Sequence, residues 1–504
     1  MESDNLDTES RGTGTVNSTT PVRASDSAPE GWGLEALRQS QESKRQHQDR
    51  IADSRQKWIK SNNFLYDRLK QVLRSIVEPQ HRVLEIRSLT GHLLAAVEPS
   101  YGVGVEIGQK LVTLSQANYP HLRFLRMAPE ELDLGEQFDY IVFNQLFDTV
   151  DILGALEKAG NHCTERSRLV IITYNQLWQP FLEWASKIGL RAPCTEPNWV
   201  NEQDIRGFLN LAGFRFIRTY RFLLIPKRIP LVSWFFNDFI ARLPWFRRLC
   251  LMQIVVARPI QMTQYEKDVT VSVIVPCRNE RGNIAAAVDR IPQMGKWTEI
   301  IFGDDKSTDG TGDEVLRLQK LYPQKRIRLV NSPGICKAEN VWTCFDAAQG
   351  DVLMILDADL TVMPEELPYF FRQLVDGHGE FVNGSRLVYP VPKAAMKFTN
   401  RIGNKAFSVV FSFLLEQNLK DTLCGTKVLW REDWKRIAHH INTWGIKDMW
   451  GDYELLFGAS KLNLEIVEVP VHYQERIYGV TKMTRVLRNG LRMLVICWVA
   501  WRRF

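Results

Sequence analysis

The chain has 504 residues, 45% hydrophobic and 24% charged, with a formal net charge of +6. That length provides for roughly two to four domains, each with its own core, and so small a charge argues against a nucleic-acid binder, which concentrates basic side chains on one face. Eight scattered cysteines with no Cys-x-x-Cys pair argue against a disulfide framework or a zinc site and fit a reducing compartment.

In chain order, the first residues are rich in Ser, Thr, Asp, Glu and Gly. They bury too little apolar surface to offset ordering entropy, so a disordered tail is expected over 1–47, although a polar helical pattern begins near Leu34. The polar start lacks the apolar core of a signal peptide.

A first α/β unit is expected over 48–260. Short apolar, β-branched runs at Arg82–Ile86, Tyr101–Glu106, Phe138–Phe143 and Arg168–Ile172 alternate with stretches long enough for helices. That alternation predicts a doubly wound, mostly parallel sheet. The run Val83-Leu84-Glu85-Ile86-Arg87-Ser88-Leu89-Thr90-Gly91 resembles the first-strand motif of class I S-adenosylmethionine-dependent methyltransferases. The resemblance implies a Rossmann-like fold, S-adenosylmethionine as cofactor, and Glu85, Gly91 and Glu106 as cofactor-binding positions, with Glu106 the ribose acid. Only Gly91 of the family's glycine set remains. Arg87 and Leu89 bring side chains where the backbone should approach the cofactor, so the expectation is a retained scaffold without ordinary methyl transfer.

A polar linker is expected at 261–268, then a second α/β unit over 269–482. Its strands are Val271–Pro276, Glu299–Phe302, Ile327–Val330, Val352–Leu356 and Phe381–Asn383. Two aspartates, Asp357 and Asp359, follow the fourth strand directly. At a strand end both carboxylates can converge on one hard cation, Mg²⁺ or Mn²⁺, and such a cation neutralises a diphosphate leaving group. The runs Pro276–Glu280 and Gly303–Thr311 also follow strands, placing Glu280, Asp304 and Asp305 in the crevice where nucleotides bind an open sheet. A plainer reading of the second run is a turn in which Ser307 or Thr308 caps the next helix.

With these motifs the segment 269–482 resembles a family 2 glycosyltransferase, nearest to the dolichyl-phosphate mannosyltransferase-like branch. The resemblance implies a GT-A fold and an inverting displacement at the anomeric carbon. By resemblance, Pro276, Glu280, Asp304 and Asp305 hold the nucleoside of a nucleotide-diphosphate sugar, and Asp357 and Asp359 hold the metal. Asn383-Gly384-Ser385-Arg386 and Asp421–Lys427 match further family elements, as does Arg476–Lys482 with Thr481 in place of Ser. Arg386, Arg476 and Lys482 are then phosphate partners. Asp421 and Asp452 are the catalytic carboxylates if a hydroxyl acceptor must lose a proton; Asp452 alternatively caps a helix. Lys337 stands in the family's Gly-Lys-Gly loop, but Ala338 replaces the second glycine, which predicts a poorer approach of backbone to diphosphate.

The residues 483–504 mix apolar, aromatic and cationic side chains and suit a helix lying in a membrane interface. The stretch Leu223–Leu251 is similar. No apolar run reaches the roughly 18–20 residues of a span. The expected protein is therefore cytoplasmic and peripheral to a membrane, moving a sugar to a polyprenyl phosphate. The alternatives are a methyltransferase with an accessory sugar-binding half, or a non-catalytic subunit of a glycan-assembly complex.

Overall fold

The computed structural model describes residues 33–192, 197–260, 268–389, 398–441, 443, 445, 448–476, 478 and 486–503. Lys482 and the linker before Asp268 lie outside them. The chain forms two seven-stranded sheets. The first holds β1 (Arg82–Ile86), β2 (Tyr101–Glu106), β3 (Arg123–Arg126), β4 (Phe138–Asn144), β5 (Cys163–Tyr174), β6 (Phe214–Phe222) and β7 (Met252–Pro259). Its order is β3-β2-β1-β4-β5-β7-β6, with β7 antiparallel to both neighbours. The second holds β8 (Val271–Cys277), β9 (Thr298–Asp304), β10 (Arg326–Asn331), β11 (Val352–Ile355), β12 (Phe381–Ser385), β13 (Lys427–Trp430) and β14 (Ile466–Pro470). Its order is β10-β9-β8-β11-β13-β12-β14, with β13 antiparallel to β11 and β12.

Both units are doubly wound α/β, as the alternating pattern predicted. The strands read as continuous apolar runs because both faces are covered, and their period of two sorts side chains between two cores. Val271, Val273 and Val275 of β8 enter one cluster and Ile274 the opposite one. Leu84 and Ile86 of β1 face one core of the first unit and Val83 the other.

Residues 1–32 lie outside the described residues, and the expected tail does not extend over residues 33–47, because a helix spans Gly33–Ser61. Its Lys44 and Gln48 are buried and both donate to Asp148, at 2.9 and 3.0 Å. A polar composition that cannot build a core can still dock when each polar group finds a partner.

The two units meet through arginines of β5, β6 and β7 and acids of the second unit. Arg168 Nη2 donates to Glu380 Oε1 at 2.7 Å, and Arg258 Nη2 lies 2.6 Å from Glu465. Arg218 Nη1 donates to the Ser460 hydroxyl at 2.7 Å, and Tyr220 donates to Asn463 Oδ1 at 2.7 Å. Arg168, Arg218 and Arg258 are all buried. Burial would push the Glu380 carboxyl up, but Arg168 and Arg258 outweigh it and hold it below its ordinary value. Glu380→Ala is therefore expected to destabilise the full chain by about 3–5 kcal/mol, since it takes from buried Arg168 its carboxylate partner and from buried Arg258 one of two. The measurement is the denaturant midpoint of the full chain; a midpoint equal to wild type would show that this junction carries no stability.

Candidate active site

In a doubly wound sheet the crevice opens where the strand order reverses, at the carboxyl ends of the strands. In the second sheet that point lies between β8 and β11, paired in parallel from Val271↔Val352 to Ile274↔Ile355. Glu280 follows β8, Asp304 ends β9 with Asp305 next, and Asp357 and Asp359 follow β11. Pro276 lies in β8, in register with Gly303 of β9.

Lys337 opens the helix Lys337–Ala347. Its Nζ lies 2.5 Å from Asp357 Oδ1, and the two side chains keep 31% and 32% exposure, so they line an open cleft. Partial burial would lower the Lys337 pKa, but Asp357, Asp452 and Asp359 outweigh it and raise it above the ordinary lysine value. Burial likewise would raise Asp357, yet Lys337, then Arg386 and Lys427, hold it below the usual carboxylate range. Asp357 also packs on Gly425, where an added Cβ would stand 2.2 Å from Asp357 Oδ2. That close approach explains why the segment after Asp421 carries a glycine there.

Asp359 Oδ1 accepts from the Thr361 hydroxyl at 2.8 Å, and its Oδ2 faces Arg476 Nη2 at 2.5 Å. Arg476 Nη1 reaches Glu280 at 4.0 Å. One arginine thus spans Asp359 after β11 and Glu280 after β8. Glu280 is buried and accepts from Asn283 Nδ2 at 2.9 Å; Asp305, also buried, accepts from the Ser332 hydroxyl at 3.3 Å and pairs with Arg278. Asp304 accepts from the Ser307 amide at 3.3 Å.

Asp421 is fully buried and saturated. It accepts from Arg386 Nε and Nη2 at 2.7 and 2.9 Å, from the Arg386 amide at 3.0 Å, from Asn404 at 2.8 Å and from the Leu423 amide at 3.0 Å. Burial works to raise its pKa, but Arg386 and these donors pull it down to about 2. Asp452 Oδ1 lies 3.4 Å from Lys427 Nζ.

Three local expectations change. Neither Ser307 nor Thr308 caps the helix Thr311–Leu321: Asp309 Oδ1 accepts from the Thr311 amide at 3.0 Å. Ser307 and Thr308 instead bond Asn279, stitching the turn to the loop after β8. Nor does Asp452 cap its helix; Asp448 accepts from the Tyr453 amide at 2.7 Å. Burial, with Asp452 beside it, pushes Asp448 up to about 6, and burial with Asp448 pushes Glu454 up to about 7. The sequence reading missed this carboxylate cluster because Asp448 and Glu454 belong to no motif. Ala338, finally, does not crowd the cleft: it is buried in the core beside Trp342 and Gly451, while Gly334 keeps the left-handed conformation, φ +81°. The altered loop leaves the backbone turn intact.

Asp357 and Asp359 offer two hard oxygen ligands. Among the described residues no cluster of three His, Cys, Asp or Glu side chains forms a complete cage. Two carboxylates fit Mg²⁺ or Mn²⁺, which commonly take their remaining ligands from substrate phosphates and water.

The first unit's crevice, between β1 and β4, is closed. Arg87 from the β1 loop pairs with Asp148 beyond β4, both almost fully buried, and the helix Gly33–Ser61 adds Lys44 and Gln48 to the same carboxylate. Glu106 is spent on the amides of Leu89 and Ile107, at 3.0 and 2.8 Å. Glu85, raised well above its ordinary pKa by burial, accepts from the Leu94 amide at 3.1 Å. At Gly91 a Cβ would meet the Phe124 ring at 2.6 Å. The cavity left beside Leu89, Asn144 and Phe147 is about 10 Å³, room for about one water. The residues present do not fit S-adenosylmethionine.

Residues 272–438 match the family model described as glycosyl transferase family 2. Over 217 residues the chain is 30% identical to a dolichol-phosphate mannosyltransferase of Pyrococcus furiosus, covering 42% of this chain and 59% of that protein. Over 215 residues it is 27% identical to a polyprenol monophosphomannose synthase of Mycolicibacterium smegmatis, covering 42% of this chain and 80% of that one. The chain thus spans little more than half the length of the archaeal relative. Among solved structures it is similar to a chain in the complex of the Haloferax volcanii Trm112 methyltransferase activator with a methyltransferase, at 18% identity and a TM-score of 0.33, covering 42% of this chain and 97% of that one. The second unit of this chain is a family 2 glycosyltransferase domain.

Proposed function

We propose that this protein transfers a sugar from a nucleoside-diphosphate donor to a polyprenyl phosphate. The observation that carries the reading is the pair Asp357 and Asp359 at the switch point, flanked by Lys337 and Arg476 and joined through Arg476 to Glu280. Pro276, Glu280, Asp304 and Asp305 form the wall that receives the nucleoside. Lys337 meets the diphosphate, and Arg476 exchanges Asp359 for a phosphate oxygen when the donor enters. Lys482 would join it by the family resemblance. A bound Mg²⁺ or Mn²⁺ on Asp357 and Asp359 supplies charge neutralisation for the leaving group.

The acceptor phosphate oxygen forms a bond to the anomeric carbon as the bond from that carbon to the diphosphate breaks. The nucleoside diphosphate leaves with the electron pair, and the configuration inverts. No proton has to be removed, since a phosphate monoester with a second pKa near 6 is already largely dianionic at neutral pH. The state of Asp421 favours this acceptor over a hydroxyl. A carboxylate at about 2 with its lone pairs taken up by donors is a poor base but a firm anchor for Arg386.

Three outcomes follow from the reading. Asp359→Asn is expected to lower nucleoside diphosphate release by about 100-fold or more, in line with loss of a charge-stabilising group. The assay screens nucleotide sugars with and without polyprenyl phosphate; wild-type release from the variant overturns the role of the acid pair. Chelation should abolish transfer and added Mg²⁺ or Mn²⁺ restore it, so turnover unchanged in chelator removes the metal. Asp421→Asn should lower kcat by about 100-fold through misplacement of Arg386, yet keep the shape of the pH profile. In both enzymes activity rises with pH through about 6, as the acceptor phosphate ionises, and is level above. Loss of a titration limb in the variant would make Asp421 a base after all.

A further inference from the structure

The first unit has a closed crevice, yet it carries the most exposed aromatic surface of the described residues. Between β6 and β7 the segment Lys227–Leu249 runs through short helical turns. Its inner side is pinned by polar contacts. Asn237 accepts from the amides of Leu224 and Ile225 at 2.8 and 2.9 Å and donates to the Ile225 carbonyl at 2.9 Å. Ser233 donates to the Lys227 carbonyl at 2.8 Å, and Arg68 pairs with Asp238 at 2.5 Å. The outer side presents Leu231, Trp234, Phe235 and Trp245, with the two tryptophans 64% and 84% exposed. A segment held this firmly on its polar side is not a loose loop that happens to expose apolar groups.

The surface continues onto the second unit. The helix Val486–Arg503 buries Met493, Ile496, Cys497 and Ala500 in the core and turns Leu491, Leu494, Val495 and Trp498 outward. Both sets recur at the spacing of one helix face, so this helix has two apolar stripes and, among the described residues, a partner for only one. Arg242 joins it to the aromatic segment by donating to the carbonyls of Trp501 and Arg502 at 2.8 and 2.6 Å, and Phe239 stacks edge-on against Trp501 at 5.7 Å. On the other side Trp178 Nε1 donates to the Leu249 carbonyl at 2.8 Å, bringing in exposed Phe181 and Trp184 of the helix Gln179–Lys187.

The charges choose the occupant. In Lys227–Leu249 the exposed cations are Lys227, Arg228 and Arg248, while Arg247 pairs with Glu416 and Arg242 with the last helix; the segment's one acid is Asp238, and Val486–Arg503 holds four arginines and no acid. Tryptophan-rich apolar surface with cations around it matches the headgroup boundary of an anionic bilayer. Among the described residues no helix is long and apolar enough to cross a membrane. We propose that the methyltransferase-like unit serves as half of a single bilayer-docking surface, completed by the last helix of the glycosyltransferase unit, and that its partner is an anionic phospholipid membrane.

The test is flotation of the full chain with vesicles of phosphatidylcholine alone and of phosphatidylcholine with phosphatidylserine. Binding is expected only or chiefly with phosphatidylserine, weakening as salt is raised. The double variant Trp234→Ser/Trp245→Ser, changed only in the first unit at exposed positions, should bind about tenfold or more weakly, and Trp498→Ser should add to the loss. The double variant should keep the wild-type melting temperature and wild-type transfer to a short, water-soluble prenyl phosphate. Vesicle binding is read without any sugar transfer, so failure of the sugar-transfer reading leaves this test intact. Wild-type vesicle binding by the double variant overturns the proposal. So does a wild-type chain that ignores anionic vesicles, or one that forms a dimer by light scattering which the same substitutions dissolve.

Discussion

An open sheet whose crossovers diverge must leave a crevice at the reversal of its strand order, and both units of this chain inherit that constraint. A crevice lined by backbone amides and acids cannot stay empty of charge partners at low cost, because buried carboxylates demand donors or cations. The second unit meets the demand with groups that can move: Lys337 on Asp357 and Arg476 on Asp359, at partly exposed side chains. The first meets it with groups that cannot, since Arg87, Lys44 and Asp148 are each almost entirely buried. The same topology therefore yields an addressable cleft in one half and a closed one in the other, and the difference lies in how exposed the neutralising cations are.

That contrast also explains why the turn after β1 carries side chains where a cofactor-binding loop would carry glycines. A glycine-rich loop brings backbone close to a cofactor, but here Arg87 and Leu89 adopt left-handed backbone conformations, φ +62° and +50°, that cost a non-glycine residue stability. The cost is offset only if the side chain is needed, and Arg87 is needed, as the partner that lets Asp148 be buried. The turn is left-handed at both positions, and its residues fill space instead of yielding it.

The sheets were legible because their central strands are buried on both faces and read as unbroken apolar runs. The strands β3, β6, β7, β13 and β14 were not. In β6 the arginines Arg215, Arg218 and Arg221 interrupt the apolar pattern, and they look like solvent-facing residues until Glu465 and Glu416 of the other unit are placed against them. A residue's burial is here decided by a partner more than 150 positions away in the chain, which no local period reports. The acid pair after β11 was legible because strand and motif are contiguous. The caps were not: left-handed Gly310 and Gly451 take the N-cap positions, and Asp309 and Asp448 reach first-turn amides from before them, through backbone geometry that spacing leaves open. Ala338 was misjudged for the opposite reason, since the sequence shows a methyl group but not the side of the helix on which it lies.

The arginine junction bears on why a unit with a closed crevice persists. Burying several guanidinium groups against carboxylates is a poor route to stability when apolar packing is the alternative, since desolvation consumes most of the attraction. What such a junction fixes is geometry: Arg168, Arg218 and Arg258 emerge from three neighbouring strands and meet Glu380, Ser460 and Glu465 at set positions. Sliding one unit on the other by a single residue would leave buried charges without partners. The sheet edge of the first unit thus holds the aromatic segment between β6 and β7 at a fixed height beside the helix Val486–Arg503, whose Arg492 touches Met449 close to the Asp448 cluster. Rigidity at the junction is what turns two separate apolar surfaces into one, and it carries that surface to the neighbourhood of the cleft.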